Sequence, residues 1–242
     1  MKIRQAVILA AGLGTRLRPL TMRTPKPLIK VYGKPLLSYH IASLRQHGIE
    51  RIFIKTFYKN DLFEEFVSQS THEDLTLIFE GSKTLGTAGF LWKNAHMFDD
   101  EMLIVYGDNL TTINYTRFVD HFSDGLSDFG IAVFYARNLA DKGRVKFDAQ
   151  GYVQSITEKP KGNVPDFGFA NAGIYFFRKE VLKEFHFDQK ECDFVDDIIP
   201  ALLDRRKLVK IYKMDERLID IGTPEGLVEA NKFAKENSRE LG

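Results

Sequence analysis

The first 140 residues alternate between short apolar segments and longer segments with helical spacing. "QAVILA" (5–10), "RIFIKTFY" (51–58) and "MLIVYG" (102–107) are apolar or rich in branched and aromatic side chains, as buried strands are. Between the first two, "PLLSYHIASLRQHG" (35–48) has apolar residues at helical spacing, a proline near its start and a glycine at its end. Strands and helices in this order predict a parallel sheet covered by helices on both faces.

The pattern changes after residue 140. Residues 144–159 are typical of a strand, a glycine-containing turn and a second strand, which together predict a β-hairpin. Shorter strands and helices follow, and no Pro/Gly/Ser-rich linker interrupts the chain. The predicted fold class is therefore α/β, a Rossmann-like three-layer sandwich with a mostly parallel central sheet and β-hairpin insertions. We expect residues 1–242 to form one domain.

Composition excludes several classes of function. The net charge of the 242 residues is +1, so no overall field favours nucleic acid or an anionic membrane as a partner. No segment approaches the ~20 apolar residues that cross a bilayer, and the run after Lys2 and Arg4 is too short for a secretory signal. The one cysteine, Cys192, excludes an intrachain disulfide. These features predict a cytoplasmic protein.

The segment "LAAGLGTRLRPLTMRTPKPL" (9–28) follows the first strand, where an open parallel sheet is expected to bind a ligand. Gly12 and Gly14 allow backbone N–H groups to approach an anion, and Arg16 brings positive charge to the same place. Two prolines stiffen the chain around Lys26. The pattern indicates a polyphosphate-binding loop, although the glycines alone also fit a tight structural turn. The spacing matches neither the dinucleotide fingerprint nor the P-loop.

Several segments, in this order, resemble the sugar-1-phosphate nucleotidylyltransferases, also called nucleotide-sugar pyrophosphorylases. The resemblance covers nearly the whole chain, and its opening segment is specific by itself. The segments are "LAAGLGTRLRPLT" with "PKPL", "LGTAG" (85–89), "YGDN" (106–109), "EKP" (158–160), "NAGIYFF" (171–177) and "IDIGTPE" (219–225).

The resemblance implies a reaction and the fold of the nucleotide-diphospho-sugar transferases. A sugar 1-phosphate attacks the α-phosphorus of a nucleoside triphosphate, which yields a nucleotide sugar and pyrophosphate without a covalent enzyme intermediate. Fixed cations, backbone donors and Mg²⁺ suit this chemistry, because two polyanions must meet and charge grows on the leaving group. Residues 1–140 would mainly bind the nucleotide and residues 141–242 the sugar phosphate. A homodimer is a reasonable expectation.

The resemblance also implies roles for particular residues. Arg16 would hold the triphosphate and stabilise the leaving pyrophosphate, and Lys26 would contact the α-phosphate and the attacking phosphate. Asp108 and Asp220 would together hold Mg²⁺, which often uses one or two carboxylates plus substrate oxygens. The other residues expected to contact substrate are Leu9, Ala11, Gly12, Gly14, Thr15, Gly86, Thr87, Gly143, Glu158, Lys159 and Asn171.

Structural roles remain open for several of these residues. Asp108 could cap a helix after "VYG", and Asp220 could belong to a structural ion pair. Glu158 and Lys159 could be a surface pair, and Gly86 could only begin a helix. Two further residues are expected to be purely structural: Trp92 is predicted in the core and Cys192 is predicted to be unreactive.

The base and the sugar are read differently by different segments. "LGTAG" resembles the guanylyltransferases, whereas "GDN" resembles the thymidylyl- and uridylyltransferases. The leading hypothesis is GTP with mannose, heptose or hexosamine 1-phosphate. The alternatives are a UTP- or dTTP-dependent enzyme, or an inactive homologue that binds nucleotide as a regulator. An NAD-dependent oxidoreductase is disfavoured by the glycine spacing.

Overall fold

A computed structural model describes residues 3–70, 74–125, 127–139, 142–158, 167–187 and 190–241. The strands are β1 Gln5–Leu9, β2 Lys30–Val31, β3 Lys34–Pro35, β4 Arg51–Thr56, β5 Leu75–Phe79, β6 Glu101–Tyr106, β7 Asn109–Thr111, β8 Phe129–Ala136, β9 Arg144–Phe147, β10 Val153–Thr157, β11 Gly168–Arg178, β12 Val209–Lys213 and β13 Leu218–Asp220. The helices are α1 Leu36–Gln46, α2 Asn60–Ser68, α3 Gly86–Lys93, α4 Tyr115–Asp120, α5 Ile199–Asp204 and α6 Pro224–Glu236. None of the helices in the described part of the chain is long and apolar enough to cross a membrane.

Contacts between Cα atoms divide the chain into two compact units that do not follow chain order. The first unit contains Ile3–Lys83, Val105–Tyr115 and Arg217–Gly242. The second unit contains Thr84–Ile104 and Thr116–Glu216. The division at residue 140, with a nucleotide-binding and a sugar-phosphate-binding half, stays a prediction.

The first unit contains the predicted parallel strands. β1 pairs with β4 and β4 pairs with β5, both in parallel, so that Ile8 lies opposite Ile54 and Ile54 opposite Leu77. The residues of β1 and β4 face inwards because their side chains are apolar on both faces, as expected for strands covered on both sides. The α/β fold class with a mostly parallel central sheet is confirmed.

A separate cluster of buried apolar side chains packs the termini of the first unit together. It joins the segments around the 3₁₀ turns of residues 15–31 to α1, β7, β13 and α6. Its members are Leu17, Ile29, Val31, Leu36, Tyr39, Leu110, Ile219, Ile221, Ala230, Phe233, Ala234 and Leu241. This cluster fixes the loop after β1 against the last strand and helix of the chain.

The second unit is built around β11, which pairs antiparallel with β8 and β9. The predicted hairpin is present, since β9 and β10 pair antiparallel across the turn between them. β12 lies parallel to β8. Antiparallel pairing therefore begins after residue 140, as the sequence pattern indicates.

Aromatic rings fill the core of the second unit. The Phe129 ring lies 5.4 Å from the ring centroids of Tyr175 and Phe194 and 5.6 Å from that of Phe177. All four side chains are fully or almost fully buried. Edge-to-face contacts of this kind add to the free energy of burying the rings.

Three expectations about local structure are wrong. Asp108 does not cap a helix, because the strand β7 follows it directly. Trp92 is 41% exposed rather than buried, since it lies on the outer face of α3 beside Phe187. Residues 179–184 form a 3₁₀ helix instead of the amphipathic α-helix that the pattern predicts.

We expect Phe129→Ala to lower the free energy of unfolding by about 3–5 kcal/mol, because it leaves a cavity among rings that cannot close in. Phe167→Ala is the control, since Phe167 is 63% exposed, and it should change stability by less than about 0.5 kcal/mol. Chemical denaturation followed by circular dichroism measures both. Equal losses in the two variants would contradict the description of this core.

Candidate active site

The loop after β1 is shaped by Gly14. This glycine has a left-handed backbone (φ 59°), and a Cβ there would lie 2.8 Å from Cγ2 of Thr21 and 3.3 Å from Cβ of Lys26. The Thr21 hydroxyl donates to the Gly14 carbonyl at 2.9 Å. Both φ and the lack of space therefore require glycine, and Thr21 fixes the loop against the segment that carries Lys26.

Gly12 differs from Gly14 in this respect. It has no positive φ, and within the described residues nothing lies within 4 Å of a Cβ built on it. Packing therefore does not explain this glycine. Open space over a loop backbone suits the approach of a ligand to its N–H groups.

Lys26 begins a 3₁₀ turn between two prolines. Pro25 precedes the turn Lys26–Leu28, Pro27 is its second residue, and the Ile29 N–H donates to the Lys26 carbonyl at 3.1 Å. The Lys26 side chain is only 6% exposed. A buried ammonium is costly without partners, so the surroundings of Lys26 are decisive.

Two carboxylates provide those partners. Lys26 Nζ lies 2.8 Å from Oδ1 of Asp220 and 3.0 Å from Oδ2 of Asp108. Arg16 Nη2 donates to Oδ2 of Asp220 at 3.3 Å. Arg16, Lys26, Asp108 and Asp220, all in the first unit, thus form one cluster of two positive and two negative side chains.

The two carboxylates meet because β7 and β13 pair antiparallel. In this short ladder Asp220 lies opposite Asn109, and the Ile221 N–H donates to the Asp108 carbonyl at 3.3 Å. Asp108 follows the end of β6, where the Gly107 N–H donates to the Leu9 carbonyl at 3.0 Å. The end of β1, the end of β6 and the last strand are therefore fixed beside one another.

The residues after Asp220 hold its side chain in place. The Gly222 N–H donates to Oδ1 of Asp220 at 2.7 Å, and a Cβ on Gly222 would lie 2.7 Å from Arg16 Nη2. A Cβ on Gly226 would lie 2.1 Å from the Asp220 carbonyl oxygen. Thr223 caps α6 by accepting from the Gly226 N–H at 3.1 Å. The start of α6 is thus packed directly against Asp220.

The cluster controls the charge of Asp220. Burial alone would raise the pKa of Asp220, but the Lys26 ammonium, the Gly222 N–H and Arg16 outweigh it and lower that pKa below its ordinary value. Asp220 is therefore an anion at neutral pH. Two anionic carboxylates that share one cation are also the arrangement that a divalent metal ion requires.

His40 lies beneath this site on α1. Its ring is buried and hydrogen-bonds with the backbone of Asn109, and no partner within the described ranges reaches its Nε2. Burial lowers the pKa of His40 to about 4, although the Asp108 charge and the Asn109 bond act in the opposite direction. His40 is therefore neutral at pH 7 and supports the turn that carries Asp108.

A second buried ion pair lies at the ends of the neighbouring strands. Lys55 Nζ is 3.0 Å from Oε2 of Glu80, and the two side chains are 3% and 1% exposed. The Ala10 N–H donates to the Lys55 carbonyl at 2.9 Å. The loop after β1 is therefore anchored on one side by β4, whose last residues include a buried charge.

In the second unit, the predicted base-contacting segment begins α3 with its N–H groups already bonded. The Gly86 N–H donates to the Thr84 hydroxyl, and the Thr87 N–H donates to Oδ1 of Asp193 at 2.8 Å. The N–H groups of residues 88 and 89 donate to the Cys192 carbonyl at 3.0 and 3.2 Å. This helix start therefore lacks the bare N–H groups that bind phosphate elsewhere.

Gly143, Glu158 and Asn171 lie together in the second unit. The Asn171 N–H donates to the Gly143 carbonyl at 2.7 Å, and a Cβ on Gly143 would lie 2.7 Å from Oε2 of Glu158. The register of β11 shifts between Asn171 and Tyr175, a β-bulge that redirects the Asn171 side chain. Lys159 lies outside the described residues.

The remaining predicted residues lie along the first loop. Leu9 ends β1, Ala11 is partly exposed, and Thr15 is exposed at the start of the 3₁₀ turn Thr15–Leu17. Cys192 was expected to be unreactive, and burial together with Asp197 and Asp193 raises the pKa of its thiol to about 12. The thiol is therefore protonated at neutral pH.

Some residues that support the site were not predicted from the sequence. Thr21, His40 and Asp193 act through hydrogen bonds to distant segments, which no local pattern reveals. Gly222 and Gly226 had a signal, because a helix start that reads "GTPEG" places glycines where backbone and a carboxylate come close. No group of three or more His, Cys, Asp and Glu side chains that could hold a metal ion occurs in the described part of the chain.

A phosphate-sized space beside glycine backbone, two cations and two carboxylates define a site for polyanionic nucleotide chemistry at the ends of parallel strands. The sequence matches the family described as nucleotidyl transferase over residues 5–237, and the chain belongs to this family.

Two relatives illustrate the range within the family. A protein of Sulfolobus acidocaldarius named as a provisional mannose-1-phosphate guanyltransferase is 32% identical over 233 residues, covering 93% of this chain and 62% of that protein. The UTP–glucose-1-phosphate uridylyltransferase of Synechocystis sp. is also 32% identical, covering 90% of this chain and 60% of that protein. The chain thus spans about three fifths of these relatives.

A solved structure matches nearly the whole chain. HddC from Yersinia pseudotuberculosis, in a complex with GMP-PN, is 27% identical with a TM-score of 0.81, covering 96% of this chain and 99% of that one. The fold expected from the sequence is therefore that of a solved relative in the same size range.

The two loop glycines make opposite demands on a substitution. We expect Gly14→Ala to lower the free energy of unfolding by about 1–2 kcal/mol, because it forces a left-handed alanine against Thr21. Gly12→Ala should leave stability within about 0.5 kcal/mol of wild type and weaken binding of inorganic tripolyphosphate. Chemical denaturation and calorimetric titration measure the two effects. Unchanged tripolyphosphate binding by Gly12→Ala would remove this glycine from the ligand site.

His40 makes stability depend on pH. The unfolded chain binds a proton at His40 with the ordinary pKa of 6.5, whereas the folded chain binds it only near pH 4, so lowering the pH from 7.5 to 5 costs about 2 kcal/mol of stability at this site. His40→Gln should lose that much less than wild type over the same interval. Exposed His96, changed to Gln, is the control. Parallel pH profiles for wild type and His40→Gln would show that this ring titrates freely.

Proposed function

We propose that the chain transfers a nucleoside monophosphate from a nucleoside triphosphate to a sugar 1-phosphate and releases pyrophosphate. The observation that carries the proposal is the contact of Lys26 with both Asp108 and Asp220, joined by Arg16. Such a cluster can neutralise a triphosphate and an incoming phosphate and can hold a metal ion. The names of the relatives are consistent with the same reaction.

The reaction needs no covalent intermediate on the protein. A phosphate oxygen of the sugar 1-phosphate forms a bond to the α-phosphorus while the bond from that phosphorus to the oxygen of the β-phosphate breaks. The electron pair of the broken bond leaves with pyrophosphate. Arg16 would hold the triphosphate and the growing charge of the leaving group, and Lys26 would reduce repulsion between the two reacting phosphates.

Asp108 and Asp220 fit a magnesium ion. Their Oδ atoms lie 3.0 and 2.8 Å from one Lys26 ammonium, so both carboxylates already converge on a single cation. They are hard oxygen ligands, and Mg²⁺ usually takes one or two carboxylates and completes its shell with water and substrate phosphates. When bound, Mg²⁺ would polarise the phosphate oxygens.

GTP is the nucleotide that we propose, with mannose 1-phosphate or a related sugar 1-phosphate. The guanyltransferase of S. acidocaldarius and the HddC complex with GMP-PN support this choice, as does the segment "LGTAG". The uridylyltransferase of Synechocystis has the same 32% identity, so a UTP-dependent enzyme is the second candidate.

Pyrophosphate release should be measured over a grid of GTP, UTP, dTTP and ATP against mannose, glucose, heptose and hexosamine 1-phosphates, with and without Mg²⁺. We expect turnover with GTP that needs Mg²⁺. Release with another nucleotide alone would contradict the choice of base. No release in any combination, together with nucleotide binding, would support the regulatory homologue instead.

We expect Asp108→Asn and Asp220→Asn to abolish Mg²⁺-dependent turnover, and Arg16→Ala to lower it by at least ~100-fold, the scale of one preorganised electrostatic contact. Asp61→Asn is the control, because Asp61 is exposed on α2 away from the cluster. Steady-state kinetics and circular dichroism separate loss of activity from loss of fold. Rates near wild type in both aspartate variants would exclude these carboxylates from the mechanism.

A further inference from the structure

Asp193 is bonded to the first turn of α3 from a distant part of the second unit. Its Oδ1 accepts from both the N–H and the hydroxyl of Thr87, each at 2.8 Å. The Phe194 N–H donates back to the Thr87 hydroxyl at 2.9 Å. The Asp193 N–H in turn donates to Oδ2 of Asp197 at 2.7 Å, which fixes the residue that holds α3.

The backbone next to Asp193 fits against the same turn. The Cys192 N–H donates to the Leu85 carbonyl at 2.9 Å, and the Cys192 carbonyl accepts from two N–H groups of α3. Gly86 has a left-handed φ of 75°, and a Cβ on it would lie 2.3 Å from the Cys192 carbonyl oxygen. Residues 192–194 therefore determine the conformation of residues 85–89.

The charge of Asp193 affects what this turn can bind. The first turn of a helix carries partial positive charge, and Asp193 places a carboxylate on it. With its N–H groups bonded, the turn offers no site to a phosphate and would be opposed by the carboxylate if one approached. A ligand group that contacts residues 85–89 is accordingly uncharged, as a nucleobase is.

We propose that Asp193 is a positioning residue for recognition of the nucleobase. It does not contact the substrate; it holds Gly86 and Thr87 in the conformation that meets the base, while the triphosphate is bound by other residues. This inference rests on the proposed function, and it adds that the residues selecting the base include a carboxylate outside the sequence motifs.

The test separates base binding from phosphate binding. Calorimetric titration measures the dissociation constants of GTP, UTP, dTTP, ATP and inorganic tripolyphosphate for wild type, Asp193→Ala and Asp193→Asn. Asp196→Ala is the matched control, because Asp196 lies in the same turn and is exposed. Thermal unfolding shows whether each variant is folded.

We expect Asp193→Ala to bind the preferred nucleotide at least tenfold more weakly and to discriminate less among the four, with tripolyphosphate binding within twofold of wild type. Asp193→Asn keeps an oxygen acceptor for Thr87 and should stay within threefold, as should Asp196→Ala. Should Asp193→Ala not fold, Thr87→Val removes the hydroxyl bond alone and should show the same selective loss, which Thr87→Ser should restore.

Two results would overturn the inference while leaving the proposed function intact: nucleotide binding by Asp193→Ala equal to wild type, or an equal loss for nucleotides and tripolyphosphate. Wild-type protein that binds none of the four nucleotides would instead overturn the proposed function and this inference with it.

Discussion

The ammonium of Lys26 lies almost completely out of solvent between two carboxylates, and much of the first unit is arranged around it. Removing an ammonium from water costs several kcal/mol, which only close anions and good geometry offset. Asp108 and Asp220 must therefore stand within hydrogen-bond distance of one atom, at 3.0 and 2.8 Å. That requirement fixes the pairing of β7 with β13.

The same constraint explains the small residues around the cluster. Gly14 allows the loop after β1 to approach Lys26, and Gly222 leaves room for Arg16 beside Asp220. Asp108 and Asp220 would repel each other without a cation between them, so the site is stable only when positive charge is present. A site built in this way is prepared for cationic partners and for phosphate groups that bring their own metal ion.

Much of the secondary structure could be predicted from the sequence, because strands and helices of ordinary length carry clear periods. The strands of residues 51–58 and 102–107 and the hairpin of residues 144–159 were placed to within a few residues. The three-residue strands β7 and β13 were not separated from their surroundings, since such short segments have no period. Trp92 was misplaced because an aromatic residue on a helix gives no indication of which face is covered.

The four charged residues of the site were found through the family resemblance of their motifs, whereas their mutual contacts were not. Pairing between the segments of residues 109–111 and 218–220 depends on register that no local feature encodes. The part played by Thr21, His40 and Asp193 follows from single hydrogen bonds between distant segments. The grouping of the chain into two interleaved units likewise arises from contacts between remote segments.

The order in which the charged residues occur along the chain has a consequence for synthesis. Lys26 and Asp108 leave the ribosome long before Asp220, which belongs to the last strand. A nascent chain that ends before residue 217 has one carboxylate for the ammonium and lacks the strand that pairs with β7. Cation binding of the kind described therefore appears only when translation of the last segment is complete, so a half-made enzyme cannot trap metal or nucleotide.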